Sequence, residues 1–183
     1  EQIDQRRVRV TGTELFPSDR YTVKLEGAKP IGFRTIAIAG IRAPDLISQL
    51  DQVLGEVREK VFQNFESIDE ADVSVIFRCY GRDAVMGELE PLRHLTPHEI
   101  GLVIEVVAAT QALADTICSF ARSTLLHLGY RGRLSTAGNL AFPYSPSDIS
   151  HGVVYEFSLY HLMTVDDPVS LFPVTVDLMG VSE

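Results

Sequence analysis

The sequence contains little cysteine, no tryptophan and no long apolar run. Its two cysteines, Cys79 and Cys118, are too few for a disulfide framework and cannot form a metal site alone. We therefore predict two reduced, buried thiols in a cytoplasmic protein. No stretch approaches the roughly 18 consecutive apolar residues that a membrane helix needs, so we expect no membrane partner.

Basic residues are also scarce. The chain carries 16 Lys and Arg against 25 Asp and Glu, which gives a net charge of −9. Such a protein repels the phosphate backbone of nucleic acids, so we expect no nucleic-acid partner. The hydrophobic fraction of 45% and the charged fraction of 22% are typical of a folded globular domain.

The length of 183 residues favours a single domain spanning residues 1–183. The chain begins at Glu1 rather than at methionine, and residues 7–11 already alternate polar and apolar in the manner of a half-buried strand. We therefore expect it to be a piece of a longer protein.

Two segments show the three- and four-residue apolar spacing of amphipathic helices. The first runs for about 20 residues. We place its start at Pro44, because proline is tolerated in the first turn of a helix. The second follows Thr110, a favourable N-cap residue, and is closed by Gly129.

Strand patterns occupy most of the remaining chain. We predict strands at residues 7–11, 21–25, 31–41, 72–80, 99–109, 153–164 and 174–178, with a turn at 27–30. The order β-β-β-α-β-β-α-β-β predicts an α+β two-layer sandwich, in which two helices pack on one face of a mostly antiparallel sheet. In the strand at 153–164, Val153, Tyr155, Phe157 and Leu159 would form the apolar face, opposite Glu156.

Glu105 interrupts an otherwise apolar strand, and an unpaired buried carboxylate is costly. Arg78 lies in another predicted strand and would pair with Glu105 or Glu156 across the sheet. One interpretation is a structural ion pair. The other is that this polar face meets a ligand or another domain, with Glu156 or Glu105 as a general base.

The connection at residues 131–152 has no sustained period, and connections of this length inside a domain are often functional. Its first half offers guanidinium groups, which can bind carboxylate or phosphate through two donors, and a turn whose backbone N–H groups could form an anion nest. The alternative interpretation is a well-tied surface turn. The candidate ligand-binding residues here and nearby are Arg131, Arg133, Gly138, Asn139, Arg78 and Arg82.

Two other patterns are weaker. His94 and His98 have the spacing of a helical metal site, but Pro97 lies between them and indicates a solvated loop. Residues 145–151 include serine, aspartate and histidine without the Gly-x-Ser-x-Gly turn of a nucleophile, so we interpret Ser147 and Asp148 as turn formers. We predict no metal site and no cofactor.

Several stretches resemble the acyclic terpene utilisation (AtuA-like) family. They are Val-Arg-Val-Thr-Gly at residues 8–12, Phe-Arg-Cys-Tyr-Gly-Arg at 77–82, Met-Gly-Glu-Leu-Glu at 86–90, Thr-Ala-Gly-Asn-Leu-Ala-Phe-Pro at 136–143 with Ser147 and Asp148, Val-Tyr-Glu-Phe-Ser at 154–158, and Tyr160 with His161. The resemblance covers essentially the whole chain. It implies that the chain is the C-terminal portion of a longer multidomain protein, which carries an α/β domain ahead of this region. The missing N-terminal domain would then be a partner.

The resemblance also implies a role in the bacterial breakdown of acyclic terpenes such as citronellol and geraniol, alongside acyl-CoA carboxylation chemistry. It transfers no catalytic residue. Two hypotheses follow. In the first, the chain helps to form a site for an organic acid or acyl-CoA derivative, a small anionic metabolite. In the second, it is a non-catalytic module whose sheet face mediates subunit contacts in a homo-oligomer or a multi-subunit assembly.

Overall fold

In a computed structural model, which describes residues 1–134 and 139–176, these residues form four strands and three α-helices. We number the strands β1–β4 and the helices α1–α3. Their bounds are β1 Tyr21–Ile41, α1 Pro44–Ser48, α2 Leu50–Asn64, β2 Ser74–Tyr80, β3 Ile100–Ala108, α3 Gln111–His127 and β4 Asp148–Val165, with one turn of 3₁₀ helix at Gly87–Leu89.

The four strands form one antiparallel sheet in the order β2-β3-β1-β4. Strands β1 and β2 are joined through α1 and α2, yet β3 lies between them and pairs with both. This arrangement is the split βαβ connectivity of ferredoxin-like topologies. The predicted α+β two-layer sandwich with a mostly antiparallel sheet is confirmed.

The core lies between one face of the sheet and the apolar stripes of the helices. Alternate residues of β3 point to this side, while α2 and α3 contribute residues at helical spacing. Each fully buried aliphatic side chain stabilises the fold by about 1.5–3 kcal/mol. The central members are Ile100, Leu102, Ile104 and Val106 from β3, Leu50, Val53, Val57 and Val61 from α2, and Ala114, Ile117, Cys118, Ala121 and Leu125 from α3.

The helix boundaries differ in part from the prediction. The predicted 20-residue helix is divided into α1 and α2 at Gln49, whose backbone is not helical (φ −114°, ψ 11°). Its side-chain amide donates to the carbonyl oxygens of Asp45 at 2.7 Å and Arg131 at 2.9 Å, which ties the break to a distant loop. Thr110 is the N-cap of α3, as predicted, and accepts from the backbone N–H of Leu113 at 3.2 Å.

The contacts divide the chain into two units. The core unit comprises Lys29–Glu156 and contains the helices with β2 and β3. The ribbon unit comprises Glu1–Ala28 and Phe157–Glu183, the last residues of which lie beyond the described range. In the ribbon unit the first part of β1 and the last part of β4 are neighbours, since the Ser158 hydroxyl donates to the Gly27 carbonyl at 3.4 Å.

Three strand predictions need correction. The predicted turn at 27–30 is absent, and β1 is continuous from Tyr21 to Ile41. A Cβ at Gly27 would lie 3.2 Å from the Leu159 Cβ, so this glycine permits a close approach of β4 rather than a turn. The segment at 7–11 forms only an isolated bridge between Gln2 and Val8. Residues 174–176 are not in a strand, and the rest of that prediction falls on residues outside the described ranges.

The predicted facing of β4 is wrong. Val154 is buried, whereas Val153 and Tyr155 are exposed. Asp148 and Ser150 face α3, because their side chains form hydrogen bonds with Arg122 and Asp115 of that helix. The alternation itself is present, but polar groups at the start of α3 attract the polar side of the strand. Within the core unit, Val153 and Tyr155 therefore lie on the side of β4 away from the helices.

None of the helices in the described part of the chain has the length and the apolar character needed to cross a lipid bilayer.

Candidate functional site

The side of the sheet that faces away from the helices carries a mixed apolar and charged surface in the core unit. The strand register places one row from each of β1, β3 and β2 on it. We call this surface the open face. It comprises Arg34, Ile36 and Ile38 of β1, Val103, Glu105 and Val107 of β3, and Ile76 and Arg78 of β2. The three isoleucines and Val103 are only partly buried.

Glu105 lies at the centre of the open face, opposite Ile36 on one neighbouring strand and Ile76 on the other. It is only 6% exposed. Its Oε2 accepts a hydrogen bond from the Nε of Arg78 at 2.8 Å. Its Oε1 lies 2.8 Å from the Nε of Arg34, in an ion pair whose angle is not that of a hydrogen bond. The predicted pairing of Arg78 with Glu105 is confirmed.

The cluster of Arg34, Glu105 and Arg78, which we call the open-face triad, has one positive charge in excess. The side chain of Arg34 keeps 31% of its surface exposed, and that of Arg78 keeps 42%. Each contacts Glu105 through Nε. Within residues 1–134 and 139–176, Glu105 is the only carboxylate paired with either guanidinium. Two guanidinium groups can therefore offer further donors to an anion.

Arg34 was not among the predicted site residues. The signal was present, because Arg34 precedes Ile36 and Ile38 by even steps in a strand whose other positions are Thr35, Ala37 and Ala39. That spacing places it on the same face as the isoleucines. Its partner, however, lies far away in the chain and could not be identified from the alternation.

Glu156, the other predicted catalytic carboxylate, does not join this cluster. It shares a face of β4 with Val154, which is opposite to the open face. Its carboxylate pairs with Lys29 Nζ at 2.9 Å and is 48% exposed. The predicted pairing of Arg78 with Glu156 is therefore not formed. The structure does not bring the two candidate bases together.

The predicted anion-binding loop is held by contacts with its own domain. Arg133 donates from Nη2 to the carbonyl of Leu126 at 3.1 Å, near the end of α3. Asn139 accepts from the Tyr130 hydroxyl at 2.7 Å. Of the other residues predicted there, Gly138 lies outside the described residues. These contacts agree with the alternative interpretation, a well-tied turn.

Arg131 has an exposed side chain beside a groove of about 1070 Å³. The groove is also lined by Asp45 and Glu56. A Cβ at Gly132, whose φ is +80°, would lie 2.8 Å from the Asp45 carboxyl group, so the loop approaches that carboxylate closely. Two acidic residues in the lining oppose the binding of an anion there.

Arg82 is engaged at another place. It pairs with Asp51 near the start of α2 at 2.8 Å and with Asp83 at 3.1 Å. Arg78 lies on the open face, Arg82 is occupied by aspartates, and Arg133 contacts the end of α3. The contacts therefore do not assemble the predicted arginines into one site.

A second polar cluster connects α3 to the sheet on the helical side. Asp115 Oδ1 accepts from the hydroxyls of Thr35 at 2.5 Å and Ser150 at 2.8 Å, and from the amide of Gln111 at 2.9 Å. The hydrogen bond from Thr35 is the largest cause of a lowered pKa of Asp115. This network satisfies the buried Thr35 hydroxyl and fixes the position of α3.

The weaker patterns do not form clusters. His94 and His98 are both exposed in the connection between β2 and β3. Among the residues that the structure describes, no three His, Cys, Asp or Glu side chains come together as a metal ion would require. Asp148 is the first residue of strand β4. Its carboxylate accepts hydrogen bonds from Arg122, at 2.6 Å from Nε and 3.0 Å from Nη2.

No protein-family model matches the chain, and no curated protein or solved structure shows significant similarity to it.

Proposed function

We propose that the chain is an assembly module, and that its ribbon unit pairs with the ribbon unit of a second copy. The observation that carries this proposal is the exposure of large apolar side chains on the ribbon. These residues are 45% to 69% exposed: Leu159, Tyr21, Phe157, Leu162 and Tyr160. An isolated two-stranded ribbon is only marginally stable in water, so a partner surface would stabilise it.

Charge favours a second copy as the partner. In the ribbon unit, residues 157–165 of β4 contain no Asp, Glu, Lys or Arg and no proline. Charged side chains and proline are the usual means by which sheet edges avoid pairing with other strands. Although the whole chain carries a charge of −9, this stretch therefore adds no like-charge repulsion when it meets its own copy.

Antiparallel pairing of two identical edges is compatible with a two-fold axis, because the same residues then face each other from both sides. On the β1 side of the ribbon, Lys24 and Glu26 already pair with each other. Lys24 also lies 4.6 Å from the centre of the Tyr160 ring. The β1 side of the ribbon therefore carries charge, so β4 is the more suitable edge for pairing with a second copy.

The resemblance to the AtuA-like family would place this assembly within a catabolic protein of acyclic terpenes or related acids. Of the residues that we named for an organic-acid site in the 131–152 connection, Arg133 and Asn139 are held by side-chain hydrogen bonds to other residues of the chain. That distribution favours the assembly hypothesis over a reaction site in this loop. The N-terminal domain of a longer protein stays a predicted partner.

The test is the oligomeric state of the chain across a concentration series, measured by sedimentation velocity and light scattering. We expect a dimer that dissociates on dilution. The double substitution Phe157→Glu with Tyr160→Glu should give a monomer with unchanged far-UV circular dichroism. The matched control is Leu89→Glu, at an exposed leucine of the core unit, which should remain dimeric.

A wild-type chain that stays monomeric at all concentrations would overturn the proposal. The same holds if the double variant dimerises as well as the control. A monomeric wild-type chain would leave the ribbon as a surface for another protein.

A further inference from the structure

We propose that Arg34 and Arg78 bind the carboxylate of a small organic acid on the open face, with the apolar part of the acid against the neighbouring aliphatic side chains. This site lies in the core unit and is independent of the ribbon. It also differs from the loop site predicted from the sequence, because it lies on the strands of the sheet and combines Arg78 with Arg34, which was not among the predicted residues.

The sheet places the two arginines around one point. Arg34 is opposite Val107 and Arg78 is opposite Val103. The two arginines therefore stand on either side of β3, each two residues from the level of Glu105 and in opposite directions. Glu105 holds both Nε atoms at 2.8 Å. The carboxylate thereby orients two guanidinium groups before a ligand arrives, which reduces the entropy cost of binding.

The charge of the triad selects the class of ligand. Two guanidinium groups and one carboxylate leave a single positive charge, which a monocarboxylate neutralises. A phosphate dianion would leave an excess negative charge in a chain that already carries −9. Guanidinium groups also match the planar geometry of a carboxylate through paired N–H donors.

The surroundings add an apolar component. Ile36, Ile38, Ile76 and Val103 are partly buried on the same face. An apolar substituent of the acid can cover them, and the removal of this apolar surface from water favours binding. The same coverage lowers the local dielectric constant and strengthens the attraction between carboxylate and guanidinium.

A second copy is a poor occupant of this face. Stacking two open faces about a two-fold axis through the triads would bring two net positive clusters together, and like charges across an interface are unfavourable. A small acid has no such conflict, and its single carboxylate meets the excess charge directly.

The test uses the full chain with hexanoate, acetate, hexanol and inorganic phosphate as probes. Binding is followed by two-dimensional ¹H–¹⁵N NMR of the backbone and arginine Nε–H signals. We expect hexanoate to shift the signals of Arg34, Arg78 and the residues of the open face. Acetate should bind more weakly, and hexanol and phosphate should cause smaller shifts at the same concentrations.

Arg34→Gln and Arg78→Gln should each weaken hexanoate binding by about tenfold. Arg34→Lys keeps the charge but loses the paired donors, so it should also weaken binding, and it protects the test against a variant that fails to fold. The matched control is Arg42→Gln, at an exposed arginine that follows β1. It should bind within about twofold of the wild type.

Equal hexanoate binding by the wild type, Arg34→Lys and Arg78→Gln would overturn the proposal, as would shifts that avoid the open face. Tighter binding of phosphate than of hexanoate would overturn the ligand class. The ribbon variant Phe157→Glu with Tyr160→Glu should retain hexanoate binding. The outcome for this site therefore does not depend on the oligomeric state.

Discussion

Arg34 and Arg78 hold opposite oxygens of one carboxylate, although their strands are not neighbours in the sheet. Strand β3 lies between β1 and β2 and supplies Glu105 as the shared anion. One acidic side chain therefore connects three strands on the face that has no helices. If Glu105 is removed, the change in the free energy of unfolding should depend on how strongly the two guanidinium groups then repel each other.

Replacing Glu105 by Gln should lower the free energy of unfolding by about 1–3 kcal/mol, because two close guanidinium groups would lose their counter-charge. Urea unfolding followed by circular dichroism measures the change. The control is Glu156→Gln, which breaks an exposed pair with Lys29 and should cost less than about 1 kcal/mol. Equal losses for the two variants would contradict a structural role of the triad.

The stability of the fold should fall in acid partly through Asp115. The Thr35 hydroxyl holds the pKa of this carboxyl below its ordinary value of 3.8. The ionised form is therefore favoured in the folded state, so its contribution is present above pH 3.8 and is lost as the pH falls through the lower folded-state pKa. Unfolding by urea at a series of pH values measures this dependence.

In Asp115→Asn, the loss of stability below about pH 4 should be smaller than in the wild type, because the titrating group has been removed. Thr35→Val should raise the pKa of Asp115 and flatten the same part of the profile. Profiles that parallel the wild type in both variants would show that other carboxyl groups account for the acid sensitivity.

Both native thiols should resist modification at neutral pH. Burial raises the pKa of Cys79 to about 11 and that of Cys118 to about 12, so neither forms the reactive thiolate in appreciable amount. A chromogenic disulfide reagent should titrate neither thiol in buffer and both in guanidinium chloride. Ala112→Cys places a thiol on the exposed side of α3 and should react without denaturant. Rapid labelling of the native wild type would contradict this prediction.

Two glycine substitutions should change stability in opposite directions. Gly32 has φ +148°, and a Cβ there would lie 2.6 Å from the carbonyl oxygen of Ala108. Gly32→Ala should therefore destabilise the fold by more than about 1 kcal/mol. Gly55 lies in α2 with open space around its Cβ position, so Gly55→Ala should stabilise by about 0.5–1 kcal/mol. Thermal unfolding compares them, and the same sign for both would be inconsistent with this packing.

The sequence contained enough information for the layers of the fold. Apolar residues at three- and four-residue spacing predicted α2 and α3, and alternation predicted the strands that cover them. These patterns arise because each helix or strand buries one of its own faces, so the pattern can be recognised within that element alone. The N-cap at Thr110 was also recognisable, because its hydrogen bond to Leu113 spans only three residues.

The features that the sequence did not predict depend on contacts between residues that are far apart in the chain. The facing of β4 is decided by polar groups of α3, such as Asp115 binding Ser150, which no alternation within β4 records. The turn prediction at Gly27 is wrong because this glycine accommodates Leu159, which lies at the other end of the chain and gives no signal near Gly27 in the sequence. The open-face triad likewise joins three strands, and only the register makes Arg34 a neighbour of Glu105.

The sheet order has a consequence for the way this chain reaches its native state. Strand β4 lies next to β1, so a strand that is synthesised after the other three completes the edge of the first. The Gly40 and Ala141 backbones, which exchange two hydrogen bonds of 2.8 Å, close the same edge from another late segment. Until β4 has been synthesised, this edge of β1 therefore exposes unpaired N–H and C=O groups, and such high contact order slows folding. Nascent chains truncated before β4 are expected to require chaperone protection that chains containing β4 do not need.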